Sequence, residues 1–249
     1  MIGPDSAIPP VFSQIGLNSN YIFTGPTMPT IAKDRSTKKL SEQIYELMRK
    51  DIIECTLEPG ELLEETVITE HYQIGRTPFR EACHWLEAEG LIEIIPHRGC
   101  FVGSFSNKDI NDLFELRMIV EPQVAELACL RSHAAQLQVL EKNIAEAQRL
   151  TKSKRPNTNP NINWNSMGFH VEVARLTQNQ ELQNVIEAIH TKLMRIVMFT
   201  ARRTPENFPF NAIHPEIYEA IRAGKSAEAR KAMIKDIEGA RKWISDFGR

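Results

Sequence analysis

Leu40, Ile44, Leu47, Met48 and Ile52 recur at helical spacing, while Lys38, Lys39, Glu42, Glu46 and Arg49 take the other side. This pattern predicts an amphipathic helix beginning at Thr37. Pro59-Gly60 marks a turn. A short second helix follows, with Leu63, Val67 and Ile68 inward. Residues 72–75 are too few and too polar to form an element, so they read as the turn before a third helix. Pro78 falls in the first turn of that helix, where its missing N–H costs nothing. Phe79, Ala82, Cys83 and Leu86 mark its buried stripe, and Glu89-Gly90 ends it. Two short β runs, 91–95 and 100–103, flank Pro96-His97-Arg98-Gly99, a hairpin with its turn residues in place. Three helices and a hairpin over residues 36–105 predict a winged helix-turn-helix.

Everything after Ser106-Asn107, a plausible N-cap, reads as helical. Ile110, Leu113, Phe114, Arg117 and Val120 lie along one broad face up to Glu121-Pro122. More helix runs through Leu127 and, after Ser132, through Leu137, Leu140 and Ile144. Further helices are expected around 163–176, 182–200, 214–223 and 226–247, with loops at 154–161 and 202–210. No β pattern, Gly-rich phosphate loop or repeat interrupts them. Residues 106–249 therefore predict an all-α bundle of six or seven helices, and the chain is mainly α. Residues 1–35, with Pro4, Pro9, Pro10, Pro26 and Pro29 among small polar residues, read as a flexible arm ending in Lys33 and Arg35. Its apolar residues, among them Phe12, Tyr21 and Phe23, leave docking on a neighbour open.

Composition changes this picture in two places. Hydrophobic residues at 42% and charged residues at 25% are ordinary for a soluble protein, and no apolar run approaches the ~20 residues of a membrane span. No secretory leader is visible, and the four cysteines lie far apart with no CxxC pair. A cytoplasmic protein with reduced thiols is expected. Net charge is only −2, and residues 36–105 hold seven Lys and Arg against thirteen Asp and Glu. A nucleic-acid function must then rest on where the cations stand, not on their total.

The informative segment is Gly75-Arg76-Thr77-Pro78-Phe79-Arg80-Glu81-Ala82. The second helix of a helix-turn-helix enters the major groove N-terminus first. Arg76 and Arg80 lie one turn apart on its exposed face, and arginine can hold guanine with two bonds or clamp a phosphate. His97-Arg98-Gly99 at the wing tip can reach the adjacent minor groove, and Lys38 and Lys39 can meet phosphate or simply be solvated. Thr77 reads first as a helix cap, and Glu81 as the partner that holds an arginine.

These pieces resemble the GntR family of regulators. Pro59-Gly60, the 76–82 segment, Leu86-Glu87-Ala88-Glu89-Gly90-Leu91 and Arg98-Gly99-Cys100-Phe101-Val102 stand in that family's register. Gly75, Gln73 and Cys83 replace its usual Ser, Gly and Leu. The resemblance implies DNA contact by Arg76, Thr77, Arg80, His97 and Gly99. It also implies a homodimer binding an inverted repeat in double-stranded operator DNA as a transcriptional regulator, with repression the expected mode.

The second half is similar to the FCD domain of the FadR subfamily. The likeness is carried by Phe114-Glu115-Leu116-Arg117 with Glu121-Pro122, by Phe169-His170 with Asn179, and by His214-Pro215-Glu216-Ile217 before Ala220-Ile221 and Gly224. The resemblance implies a small carboxylate effector and a divalent metal (zinc, manganese, nickel or iron) inside the bundle. His170 and His214 match the family's ligands, Ser166 stands where it has Asp, and Asp236 where it has a third His. Two imidazoles and a carboxylate remain a plausible three-ligand set. Hydrogen bonds from both histidines to Asp236, without metal, are the alternative. Arg117 can pair with an effector carboxylate or with Glu121 four residues on, Ser166 faces the same site, and His190 reads as a packing residue. An enzyme is not expected, because no general acid or base is identifiable. A metal-sensing regulator and, more remotely, a metal-dependent hydrolase are the rival readings.

Overall fold

The computed structural model describes residues 39–151, 160–204 and 213–246. The expected N-terminal arm and Lys38 lie outside the described residues, as do parts of both expected loops.

Helices α1 (Leu40–Ile53), α2 (Glu65–Tyr72) and α3 (Arg76–Ala88) precede a hairpin of β1 (Ile92–Ile95) and β2 (Gly99–Val102). The strands are antiparallel, with Ile92 opposite Val102 and Ile95 opposite Gly99. Leu62 bridges to Phe101, so the segment before α2 lies along the outer edge of the wing. Ile44, Met48, Ile52, Phe79, Leu86 and Val102 close one core beneath these elements. Two residues expected inward face solvent instead: Leu40 opens α1 at 43% exposure and Val67 on α2 is likewise 43% exposed. Leu63 is buried but precedes α2. Gln73 caps α2 in the left-handed region (φ 54°), a conformation that costs a residue with a Cβ about 1–2 kcal/mol. The tight turn imposes it, and glycine would adopt it without strain.

Six helices follow among the described residues: α4 (Asn107–Arg131), α5 (Ala134–Thr151), α6 (Pro160–Leu176), α7 (Gln180–Ala201), α8 (His214–Arg222) and α9 (Ser226–Asp246). Ser106 caps α4 through a capping box, its Oγ accepting from Asp109 N while the Asp109 carboxylate accepts from Ser106 N at 2.7 Å. α4 runs unbroken through Pro122. It packs along α9 and against α6, α7 and α8, while α6 lies between α5 and α7. Their shared core includes Phe114, Phe169, Ile217 and Ile237.

A third, smaller cluster joins the two halves. Ile53 and Cys55 at the end of α1 pack on Met194 and Met198 of α7, with Met167 and Phe199 at the edge. Polar contacts reinforce it. Arg202 donates to the Cys55 carbonyl at 2.6 Å, Arg195 donates to the Gly103 carbonyl, and Arg203 pairs with Glu58 at 3.0 Å.

Candidate functional site

The N-terminal half presents its cations at two adjoining edges. Gly75 occupies the N-cap position of α3 without a side-chain capping bond, so Arg76 and Thr77 are the first two helical residues. Thr77 therefore is not the cap, because the chain becomes helical two residues too early for its hydroxyl to serve. Arg76 and Arg80 are 73% and 67% exposed and share one carboxylate. Arg76 Nε lies 3.1 Å from Glu65 Oε1 and Arg80 Nε 3.1 Å from Glu65 Oε2. The partner expected at Glu81 is thus Glu65, on the preceding helix. It sits where α2 meets α3, which no in-helix spacing reveals.

His97, Arg98 and Gly99 are exposed at the wing tip, with His97 and Gly99 at positive φ (62° and 112°). A Cβ at Gly99 would meet Leu62 Cδ1 at 3.0 Å, so glycine lets the wing fold down on the preceding segment. Lys39 is exposed just before α1.

The second site lies inside the bundle. Arg117 and Glu121 from α4, His170 from α6, His190 from α7, His214 from the start of α8 and Asp236 from α9 converge there, all but Asp236 fully buried. Arg117 Nε donates to Glu121 at 2.6 Å and its Nη2 at 3.3 Å, while Nη1 is buried without a partner. Glu121 Oε1 also receives His190 Nε2 at 3.1 Å. Its other oxygen lies 2.9 Å from His170 Nδ1, out of line for a hydrogen bond, so that nitrogen stays unsatisfied. On the other side of the His170 ring, Nε2 is 3.5 Å from Asp236 Oδ2, and His214 Nε2 is 3.7 Å from Asp236 Oδ1. Ser166, one turn before His170, lines the same cavity.

His190 is therefore part of the polar cluster, stacked on His170 at 4.3 Å. Its setting between Ile189 and Leu193 read as plain packing because sequence spacing cannot show that Glu121 stands opposite. Glu121 appeared only as a partner for Arg117, and it turns out to be the hub.

Burial sets the protonation of these groups. Burial raises the Glu121 carboxyl, but Arg117, His190 and His170 together overcome it and hold the group well below its ordinary value. Burial and neighbouring positive groups push His214 well below the usual imidazole range. Burial lowers His170 and His190 too, against the pull of Glu121. Burial raises Asp236, against His170 and Arg117. Neutral imidazole is the form that ligates metal.

His170, His214 and Asp236 offer three ligand atoms within 4.8 Å of one another, and Glu121, His170 and His190 offer a second such group. Ligand bonds of about 2.1 Å in tetrahedral array place neighbouring donors ~3.4 Å apart, close to the 3.5 and 3.7 Å separations found at Asp236. Both nitrogens of His214 are buried with no hydrogen-bond partner. Buried polar atoms seldom remain unpaired, at a cost of about 1–3 kcal/mol each, so the first group fits a cation. The second fits less well, because Arg117 already neutralises Glu121. The adjoining cavity, lined among others by Arg117, Ser166, His170, His190, Met194 and Asp236, is only about 40 Å³.

Comparison with known proteins gives these sites a context. Residues 40–102 match the bacterial regulatory proteins of the gntR family, and residues 112–239 match the FCD domain. The chain is 27% identical over 194 residues to the HTH-type transcriptional regulator YdhC of Bacillus subtilis, covering 77% of this chain and 84% of that protein. It is 24% identical over 202 residues to the HTH-type transcriptional repressor RspR of Escherichia coli, covering 81% and 87%. Among solved structures, E. coli McbR/YncC has a similar fold, with a TM-score of 0.71 at 15% identity over 84% of this chain and 98% of that one. A GntR regulator from Rhodococcus sp. RHA1 gives 0.67 at 21% identity, over 83% and 97%.

Proposed function

This chain belongs to the FCD-bearing, FadR-like branch of the GntR family of bacterial regulatory proteins, and from that premise we propose how it works as a regulator. It is a DNA-binding transcriptional regulator, and its relatives are regulators, not enzymes. In our reading it is a cytoplasmic homodimer that represses by holding an inverted repeat and responds to an organic acid. Residues 36–105 bind DNA, and residues 106–249 sense the acid and dimerise. Arg76, Thr77 and Arg80 face bases or phosphates of the major groove. His97, Arg98 and Gly99 meet the minor groove, and Lys38 and Lys39 the backbone. Leu116 and Ile119, one turn apart and 42% and 62% exposed on α4, supply apolar surface for a partner copy.

The observation that carries the sensing half is Arg117 Nη1, a buried guanidinium nitrogen without a partner, beside the unpartnered nitrogens of His214. A carboxylate is the group such a nitrogen lacks. A divalent ion held by His170, His214 and Asp236 would supply a second, Lewis-acidic anchor for the same acid. Ser166 lines the cavity where a ligand oxygen would sit.

The size of that cavity favours a second reading. About 40 Å³ takes an ion or a water, whereas organic ligands occupy pockets of roughly 300 Å³ or more. An acid must therefore spread α6, α7 and α9, while an ion need not, and metal sensing is the alternative. Mobility shifts on DNA from the chain's own promoter region test both. We expect binding to an inverted repeat at physiological salt, weakened by one organic acid while metal is saturating. Affinity that follows metal alone, indifferent to every acid, replaces the first reading by the second. No sequence preference at all removes both.

A further inference from the structure

Two thiols that lie 17 residues apart in sequence meet inside the DNA-binding half. Cys83 is on α3, one turn after Arg80, and Cys100 is on β2, next to Gly99 at the wing tip. Their sulfurs are 3.8 Å apart, and the side chains are 3% and 9% exposed. A cavity of about 350 Å³ between α2, α3 and the wing is lined by both, with exposed Arg80 and His84 beside them. Nothing in DNA reading or effector binding uses either thiol.

We propose that Cys83 and Cys100 are a dithiol that low-molecular-weight disulfides close into an intramolecular disulfide, tying α3 to the wing. The cavity admits the small disulfide. The Cys100 thiolate attacks one of its sulfurs, breaking that S–S bond and expelling one small thiolate. The Cys83 thiol gives its proton to an expelled thiolate and attacks the Cys100 sulfur of the mixed disulfide, releasing the second. Two protein thiols lose two electrons, and one small disulfide is reduced to two thiols. Cys100 is the more exposed of the pair. The contact with the Cys83 sulfur lowers the pKa of Cys100, while the same contact and burial push Cys83 up. Closure to an S–S bond of about 2.05 Å draws the sulfurs ~1.8 Å together. Arg80 and the residues 97–99 flank the two cysteines, so this movement changes the spacing between the two DNA-facing edges.

The test uses the full chain, treated with oxidised glutathione or with dithiothreitol. Oxidation is expected to yield a Cys83–Cys100 linked peptide and to remove two of the four titratable thiols. It is also expected to weaken operator binding by about tenfold or more, reversibly on reduction. The Cys55→Ala/Cys129→Ala double variant keeps this response. Cys83→Ser, checked for folding by circular dichroism, loses it. A stable glutathione adduct on one cysteine, or linkage through Cys55, Cys129 or a second chain, overturns the proposal, as does a linked pair with unchanged operator affinity. Should the reduced protein ignore operator DNA, the regulator reading fails, while the peptide map still decides the disulfide.

Discussion

Arg195 on α7 donates a hydrogen bond to the backbone carbonyl of Gly103, the residue through which the wing leaves for α4. Arg195 is 5% exposed, and a Cβ at Gly103 would lie 3.2 Å from the carbonyl oxygens of Gly90 and Leu91, so this junction is tightly packed. The same helix brings His190, Leu193, Met194 and Val197 to the bundle cavity. Met194 belongs at once to that cavity and to the cluster with Ile53 and Cys55. A ligand that enlarges the cavity must displace α7 or its neighbours, and α7 is clamped to the DNA-binding half. Close packing makes such a displacement a discrete shift, not a soft deformation.

Arg195→Ala is expected to destabilise the chain by about 1.5–3 kcal/mol, the worth of a charge-assisted hydrogen bond. It should also shrink the ratio of operator affinities measured with and without ligand, and Arg195→Lys should restore part of that ratio. Titration of each variant with DNA, using any acid or ion that stabilises the parent protein, reads this directly. An unaltered ratio in Arg195→Ala rules out α7 as the carrier.

Arg76→Ala and Arg80→Ala should each weaken operator binding by about 1–3 kcal/mol and flatten its salt dependence. Glu65→Gln should act differently. It removes a carboxylate that holds both guanidinium groups at 3.1 Å, and with it a negative charge near the phosphates. Binding to scrambled DNA should tighten, so discrimination falls. The exposed pairs themselves are worth no more than about 1 kcal/mol, so thermal stability should hardly move. Fluorescence anisotropy on operator and scrambled duplexes separates these outcomes.

Adding zinc, manganese or nickel to chelator-treated protein should raise its melting temperature. Free metal at a hundredfold above Kd contributes about 2.7 kcal/mol. Asp236→Asn and His214→Ala should abolish the rise, and His190→Ala should leave most of it, because His190 faces Glu121 and not Asp236. Differential scanning fluorimetry with and without EDTA is the measurement. Equal metal shifts in all three variants would place the ion elsewhere.

The metal-free protein should lose stability as pH falls through about 6.5. His170, His190 and His214 all have folded-state values below 6.5, so the unfolded chain takes up protons first. Their contribution is complete above that pH and drains away below it. Glu121 has the same sign at lower pH, beneath 4.5. Asp236, raised from 3.8, has the opposite sign: stability falls as pH rises between 3.8 and its folded value. Urea unfolding between pH 5 and 8 should therefore show its steepest decline on the acid side of 6.5, and a flatter curve for His214→Phe.

Arg117→Ala should cost about 3–5 kcal/mol, the typical penalty for leaving a buried charge alone. Both Arg117 and Glu121 are 1% exposed, and the pair is 2.6 Å apart. Glu121→Gln should be milder on metal addition than without it, because an ion held by His170 and Asp236 would draw on His170 from its other face. Chemical denaturation of the four combinations of wild-type and variant residues gives the coupling.

Much of this was legible in local pattern. Ser106 before an apolar face gave away the start of α4, and Pro78, Arg76 and Arg80 announced a short helix with its cations outward, because capping, proline and helical period act within a few residues. Val67 misled because period alone cannot say which face a neighbour covers. Thr77 misled because α3 starts two residues earlier than its hydroxyl suggests.

Local chemistry along the chain thus determined a mainly helical protein with a hairpin wing and the two arginines on one face, while Arg117, His170, His214 and Asp236 were marked as inner-site residues by the resemblance to the FCD domain. Only the packed molecule decided that Glu65 grips both arginines, that Glu121 and His190 join the inner cluster, that Cys83 meets Cys100, and that α7 touches the bundle cavity and the end of the wing alike. Each of those is a contact between separate elements. Which side chains meet across such a gap is set by how helices cross and by what volume is left between them, and no short-range period in a sequence carries that information.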